Sequence, residues 1–367
     1  MLRDLEAILS DGEGYTIEFK LSPDKTLSQE VCAFANASGG RIFIGVSDDG
    51  QIAGTDISNV ARSKIQDTIN QIEPRLSVNI VVHENIIVIN VPQGKDKPYS
   101  CSKGFYIRSG PNSQKLERND IIDFFQGEGQ IRYDSIVQTD LTVDENFDDK
   151  AYREFLKMGG ISEVLPKNDI LKNLGCIEIV NGKAVYTNAG ALFFRNNSED
   201  MVYQHVTVVC GLYKGTDKAY ILDAKEFSGG MVNSIDEAVL FLKRNLKLSY
   251  EIKEVRRKNI LEIPEDALRE AVINAVCHRD YFEKGARVMI EIFDDRVEIT
   301  NPGGLPKGIT SENFGTLSVT RNPVIASLLH RIHYIERMGT GISRIRNAMT
   351  VAGLEEPVFN FQKFFKV

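Results

Sequence analysis

Glu270-Ala271-Val272-Ile273-Asn274-Ala275-Val276-Cys277-His278-Arg279-Asp280-Tyr281 is the stretch on which the reading of this chain turns. Glu270, Asn274 and His278 stand at i, i+4 and i+8, so on a helix they share one face. Their neighbours Ala271, Val272, Ile273, Ala275 and Val276 are apolar. A polar stripe on an otherwise apolar helix costs free energy unless it meets water or a ligand. Spacing alone fits an amphipathic helix with its wet side outward at least as well as a binding site. Pro264 marks the start of this helix, because proline is tolerated in a first turn.

Downstream, residues 288–293 and 296–300 read as a hairpin turning at Asp294-Asp295. The second strand runs into Asn301-Pro302-Gly303-Gly304-Leu305-Pro306. Paired glycines there let a backbone come close to a flat or charged ligand, and serve a plain turn equally well. Gly339-Thr340-Gly341 then leads into a helix over 342–349. Free N–H groups at such a helix start suit an anion such as phosphate. No GxxxxGK[ST] occurs, so the chain has no P-loop.

Upstream, residues from about 200 include a β-prone strand over 205–213 and an amphipathic helix over 236–246. The middle segment reads as helices over 148–158 and 167–174 and strand-like runs over 183–186 and 191–194, an order that suits a winged-helix-like unit. Residues 126–147 are polar and Asp-rich and read as a linker. The first 130 residues read as a compact α/β unit. Its helices are expected over 2–9, 28–36, 61–72 and 119–125, and its strands over 15–20, 41–46, 77–82, 85–91 and 105–108. Turns are expected at Asp48-Asp49-Gly50 and His83-Glu84.

Within the first unit, Glu13-Gly14-Tyr15-Thr16-Ile17-Glu18-Phe19-Lys20 carries chemistry-bearing side chains. Glu18 and Lys20 lie two apart and share a face of a strand. With an Asp from the next strand's end they would suit a metal held against a phosphodiester. An exposed strand with a Glu–Lys pair, beside a turn selected for its geometry, accounts for the same residues and is favoured on spacing alone.

Composition sets the frame. The 367 residues carry 42% hydrophobic and 26% charged side chains, ordinary for a globular protein of two or three domains. No apolar run approaches the roughly 20 residues that span a bilayer. The acidic start lacks a secretory pattern, so the chain is read as cytoplasmic, with no membrane partner. Five scattered cysteines read as reduced thiols rather than a disulfide framework. The net charge of −7 weighs against duplex binding by bulk charge. Lys253 with Arg256-Arg257-Lys258 is the densest basic cluster, a solvated turn or a phosphate contact.

Taken in order, the Glu270–Tyr281 phrase, Ile299-Thr300-Asn301-Pro302-Gly303-Gly304-Leu305-Pro306, Arg321-Asn322-Pro323 and Glu336-Arg337-Met338-Gly339-Thr340-Gly341-Ile342 resemble the GHKL ATPase family. The likeness is to its divergent branch of RecG-like helicase relatives and transcriptional regulators. It implies a Bergerat-type two-layer α/β sandwich over 200–367 that binds ATP with Mg²⁺. By that resemblance Asn274 would hold Mg²⁺ and Glu270 would orient or deprotonate water, if hydrolysis occurs. Gly303 and Gly304 would flank the adenine, with Asn301 standing where the wider family has Asp. His278, Gly339, Thr340 and Gly341 join the nucleotide-binding set. Residues 305–338 would form a lid with Arg321 a phosphate contact.

Glu18-Phe19-Lys20, Val31-Cys32-Ala33-Phe34-Ala35-Asn36-Ala37-Ser38-Gly39-Gly40, Ile44-Gly45-Val46-Ser47-Asp48-Asp49-Gly50 and Tyr106-Ile107-Arg108-Ser109-Gly110 resemble the AlbA-type Schlafen domain. That implies nucleic-acid binding, with Lys20 and Arg108 as contacts. Animal Schlafens include RNA endonucleases, whose three carboxylates would match Glu13, Glu18 and Asp48. The expectation is thus an α+β chain in three parts: a Schlafen/AlbA-like domain over 1–130, a linker and small winged-helix-like segment over 131–199, and the ATPase-like part over 200–367. It is expected to be a nucleotide-controlled regulator acting on DNA or RNA, as a homodimer or higher homo-oligomer. The alternative is a metal-dependent nuclease gated by ATP. A helicase is excluded, since there are no paired motor domains.

Overall fold

The computed structural model describes residues 2–196, 203, 206–253, 256–306, 308–317, 319–336, 339–362 and 364–367, with side chains described except at 2–4, 6, 248–253 and 256–260. His205, the start expected for one strand, lies outside these residues, as do Arg337 and Met338 and the side chains of the basic cluster at Lys253, Arg256, Arg257 and Lys258. The chain divides into two units, Met1–Ile131 and Arg132–Val367.

In the first unit, α1 (Leu2–Asp11) is followed by β1 (Ile17–Lys20), α2 (Leu27–Asn36), β2 (Gly40–Ile44), α3 (Asn59–Ile69), β3 (Asn79–His83) and β4 (Ile86–Val91). The strands lie in the order β1-β2-β4-β3, with β1 and β2 parallel and the other pairs antiparallel. Parallel neighbours need a crossover, and α2 supplies it. Strand alternation then divides the apolar side chains between two faces. Ile42, Ile44, Ile87 and Ile89 meet Val31 and Phe34 of α2 and Ile65 and Ile69 of α3. Phe19, Phe43 and Ile86 face the other way, against Leu5, Ile8 and Leu9 of α1.

A small sheet of β5 (Ser100–Cys101), β6 (Gly104–Ser109) and β7 (Asn112–Lys115) follows, and then α4 (Arg118–Gly127). Asn36 ties this sheet to α2. Its amide nitrogen donates to the carbonyls of Tyr99 and Tyr106, both at 2.8 Å, and its oxygen accepts from Tyr99 N at 2.7 Å. A buried amide so fully satisfied specifies one arrangement of its neighbours.

The stretch 126–147 corrects the linker expectation. It holds the end of α4, a 3₁₀ turn at Tyr133–Ser135 and β8 (Val137–Thr142). Its many acids misled, because Asp140 and Asp144 face solvent while Tyr133, Asp134 and Val143 are buried. Next come α5 (Asp149–Met158), α6 (Lys167–Asn173) and the hairpin β9 (Ile177–Val180) and β10 (Lys183–Thr187), in a sheet of order β8-β10-β9. Residues 191–194, expected as a strand, belong to α7 (Asn188–Phe194). A short apolar run fits a buried strand or a buried helix alike. Here the Thr187 side chain accepts from Gly190 N at 3.1 Å and caps the helix.

The rest of the second unit builds one larger sheet. It comprises β11 (Val208–Tyr213), β12 (Ile221–Phe227), α8 (Met231–Asn245), the separate hairpin β13 (Leu248–Lys253) and β14 (Arg256–Leu261), α9 (Glu265–Cys277), β15 (Val288–Ile292), β16 (Val297–Pro302), α10 (Pro323–Arg331), α11 (Gly341–Val351), β17 (Asn360–Phe361) and β18 (Phe364–Lys366). Strand order is β12-β11-β15-β16-β18-β17, with β11 and β15 parallel and the other pairs antiparallel. Helix side chains such as Leu242, Val272, Ile273 and Ile345 share one core with Ile290, Ile292 and Ile299 of the sheet, and Phe155, Tyr186 and Phe194 extend that core. The fold is α+β.

Candidate nucleotide site

α9 carries Glu270 and Asn274 on one face of an otherwise apolar helix, and His278, expected on the same helix, stands just beyond it as its C-cap. The three face a cavity of about 350 Å³, lined also by Asn301, Gly304, Gly339 and Gly341. That volume lies within the usual ~300–1,000 Å³ of small-molecule sites. Segments from 304–320 and from α10 complete its wall, with Phe314 and Phe365 among the apolar side chains.

Asn274 Nδ2 donates to Glu270 Oε1 at 3.2 Å. Burial lifts the Glu270 carboxyl above its ordinary range, while Arg344 nearby pulls it back. Arg344 Nη1 lies 3.6 Å from Glu270 Oε2 and 3.3 Å from Glu336 Oε1. Burial, assisted by the Arg321 charge, holds the His278 imidazole down to about 4, so it is neutral at physiological pH.

α11 starts against this pair. A Cβ at Gly341 would overlap Glu270 Oε1 and stand 3.1 Å from Asn274 Nδ2, so glycine keeps this close approach without displacing the carboxylate. Gly339, with φ 63°, sets the preceding turn. Thr340 makes no side-chain cap, and its hydroxyl donates instead to Glu336 Oε2 at 3.4 Å. The first N–H groups of α11 therefore lack a side-chain acceptor from the cap position, the polarity that suits an anion.

Asn301 is 1% exposed, at the end of β16. Its Nδ2 donates to Pro302 O at 3.3 Å, whereas its buried Oδ1 finds no partner among the described residues. A buried unsatisfied acceptor costs about 1–3 kcal/mol. Lining the cavity, it fits a ligand that brings an amino group. Gly303 and Thr340 do not line the cavity. A Cβ at Gly303 would overlap the Arg321 guanidinium, for which this glycine makes room. Arg321 donates to His278 O at 3.0 Å and Gly304 O at 2.9 Å, so in this conformation it clamps backbone rather than facing the cavity.

In the first unit, Glu18 meets a different set of partners from those expected. Arg108 Nη1 donates to Glu18 Oε2 at 2.9 Å and Glu30 Oε2 at 3.2 Å, and Nη2 donates to the carbonyls of Gly14 and Pro111, both at 2.7 Å. The guanidinium also lies over the Phe34 ring at 4.4 Å. Its side chain has no exposed surface, so Arg108 acts as an internal clamp and offers nothing to a ligand in this conformation. Burial, then the neighbouring Glu30 carboxylate, pushes Glu18 up to about 7 against the Arg108 hydrogen bond. Glu13 Oε1 accepts from Phe19 N at 2.8 Å. Lys20 Nζ donates to Thr26 Oγ1 at 2.7 Å and stands 3.9 Å from Glu18 Oε1. Asp48 is exposed in its turn and, among the described residues, makes no hydrogen bond or ion pair with Glu13 or Glu18. Among the described residues no group of three His, Cys, Asp or Glu side chains is arranged to hold a metal.

Residues 13–117 match the family described as Schlafen, AlbA_2, and residues 285–367 match that described as putative ATP-dependent DNA helicase recG C-terminal. The chain joins a Schlafen AlbA_2 domain to a RecG C-terminal ATPase-type domain. Among solved structures, the DIP2311 protein from Corynebacterium diphtheriae is similar, at 20% identity and a TM-score of 0.55, over 100% of this chain and 79% of that one. At that identity the likeness is one of fold. No curated protein matches the chain.

The RecG C-terminal match begins after α9, so Glu270, Asn274 and His278 come to the site through the fold and not through that match. In the ATPase-type domain, the structure brings these three together with Asn301, Gly304, Gly339 and Gly341. Sequence reasoning missed Arg344 and Glu336. Arg344 lies three residues beyond Gly341 on α11, a spacing that turns it toward the same side. In the Schlafen AlbA_2 domain it missed Glu30, whose partnership with Glu18 runs through Arg108, brought from β6 far along the chain, and left no local signal.

Proposed function

We propose that the ATPase-type domain binds ATP with Mg²⁺ and that its occupancy controls nucleic-acid binding by the Schlafen AlbA_2 domain, in the manner of a transcriptional regulator. The observation that carries the reading is the unpartnered Asn301 Oδ1 in the same cavity as the Glu270–Asn274 pair and the glycine-dependent start of α11. Asn301 would accept from the adenine amino group. The α11 start, with Gly339 and Gly341, would receive phosphate oxygens. Asn274 would hold Mg²⁺ together with the nucleotide's own phosphates, and the ion would neutralise phosphate charge. Glu270 would accept a proton from water, and burial raises its carboxyl above the ordinary range, the direction that strengthens a base. Neutral His278 would offer a hydrogen bond rather than a charge. The reading includes pairing of two chains.

Calorimetry of Mg-ATP with wild type and Asn274→Ala tests it. Binding by wild type and its loss in the variant is the expected result, and no binding by wild type would sink the reading. In Glu270→Gln binding should persist, while any turnover falls about 100-fold or more. Nuclease action by Glu13, Glu18 and Asp48 has no comparable support, because Glu18 faces Glu30 and Arg108 rather than Asp48.

A further inference from the structure

The start of α10 is satisfied from elsewhere in the chain. Pro323 has no N–H to satisfy, and Ala326 N donates to Asn322 O at 3.0 Å. That leaves Val324 N and Ile325 N. Asn322, at the cap position, makes no side-chain cap; its amide is turned instead toward the end of α9, where Nδ2 donates to Cys277 O at 2.9 Å and Arg279 O at 2.8 Å. Asp134 takes over. Its Oδ2 accepts from Val324 N at 2.6 Å and Ile325 N at 3.2 Å, and its Oδ1 accepts from Ser135 Oγ at 3.2 Å. The residue has no exposed surface.

The preceding residue is gripped as firmly. Tyr133 stacks on Tyr281 with ring centres 5.3 Å apart and meets Phe282 edge-on at 5.4 Å. Tyr281 hydroxyl donates to Val276 O at 2.9 Å, back on α9. Pro323, Ala326, Ser327 and His330 of α10 line the nucleotide cavity. One dipeptide, just after the division at Ile131, thus holds α10 directly and α9 through Tyr281, two of the helices that wall the cavity.

We propose that Asp134 is a positioning residue of the nucleotide site: it caps α10 in trans, sets the wall that α10 presents, and so ties nucleotide affinity to the segment 132–136. This rests on the nucleotide reading above and names how that site is regulated. A carboxylate cap adds a charge-assisted bond and favours the helix dipole. Its loss frees the first turn of α10, and binding must then reorder it. By linkage, nucleotide must stabilise the cap in return.

The experiment uses the full chain as wild type, Asp134→Asn and Asp134→Ala. It reads Mg-ATP Kd by calorimetry, Tm without nucleotide, and amide exchange of peptides covering the start of α10 with and without Mg-ATP. Asp134→Ala should weaken binding about tenfold, and Asp134→Asn, which keeps one acceptor oxygen, should fall between it and wild type. Exchange at the start of α10 should slow on nucleotide binding in wild type. A Kd equal to wild type in the Ala variant, with Tm alone lowered, would overturn the positioning role and leave the nucleotide reading standing. Should the Ala variant not fold, an Asn variant with wild-type Kd, or exchange at α10 indifferent to nucleotide, overturns it equally. Absence of wild-type binding would overturn both.

Discussion

A side chain at Gly341 would meet the Glu270 carboxylate, whose Oε1 stands where its Cβ would be. Gly341→Ala must push either the carboxylate or the start of α11 aside. Because the carboxylate end can move, we expect stability in urea titration to change by less than about 1 kcal/mol, with Mg-ATP affinity lowered by calorimetry. Wild-type affinity in this variant would mean that the α11 start takes no part in binding. Glu18 makes a different prediction. Its folded-state pKa of about 7 lies above the ordinary 4.5, so the folded state holds a proton there more tightly than the unfolded chain. The stabilisation this brings is present in full below about pH 4.5 and is lost as pH rises through 7. In Glu18→Gln, stability of the first unit followed by urea titration should lose this fall between pH 4.5 and 7. An unchanged pH profile would show that Glu18 does not titrate there.

Elements were legible where period and punctuation agreed. α9 announced itself by a proline before it and a polar stripe at four-residue spacing. The hairpin of β15 and β16 was marked by its Asp-Asp turn. α7 was misread because four apolar residues carry no period, and its helical form depends on Thr187 and on burial on every side. Gly190 within it lies against β9's approach, where an added Cβ would overlap the Cys176 carbonyl oxygen. Neither backbone can yield cheaply, so Gly190→Ala should destabilise the second unit by about 3 kcal/mol or more. Thermal or urea unfolding of the purified variant checks this. A loss under about 1 kcal/mol would mean that α7 can slide away from Cys176.

At the scale of the whole chain, the division at Ile131 separates two sets of cores. A unit with its own core can fold by itself. A fragment of residues 132–367 is therefore expected to bind Mg-ATP within about threefold of the full chain, since all the cavity residues lie inside it. Calorimetry on the fragment decides the matter, and lost affinity in a folded fragment would show that the first unit completes the site.

The sequence by itself determined which elements carry the candidate site residues and their order along the chain. Periodicity, glycine placement and helix starts are local properties, and they placed Glu270 and Asn274 on α9 and put His278, Asn301 and Gly341 within a residue or two of the element ends where they stand. Tertiary structure alone decided which of these side chains meet and which are spent internally. Arg108 and Arg321 read as free cations in the sequence, yet both are committed to carboxylates or backbone carbonyls brought from distant segments. Asp134 read as a linker acid, yet it caps a helix that begins far along the chain. A local pattern records the face a side chain takes on its own element, whereas burial and partnership depend on what packs across that face.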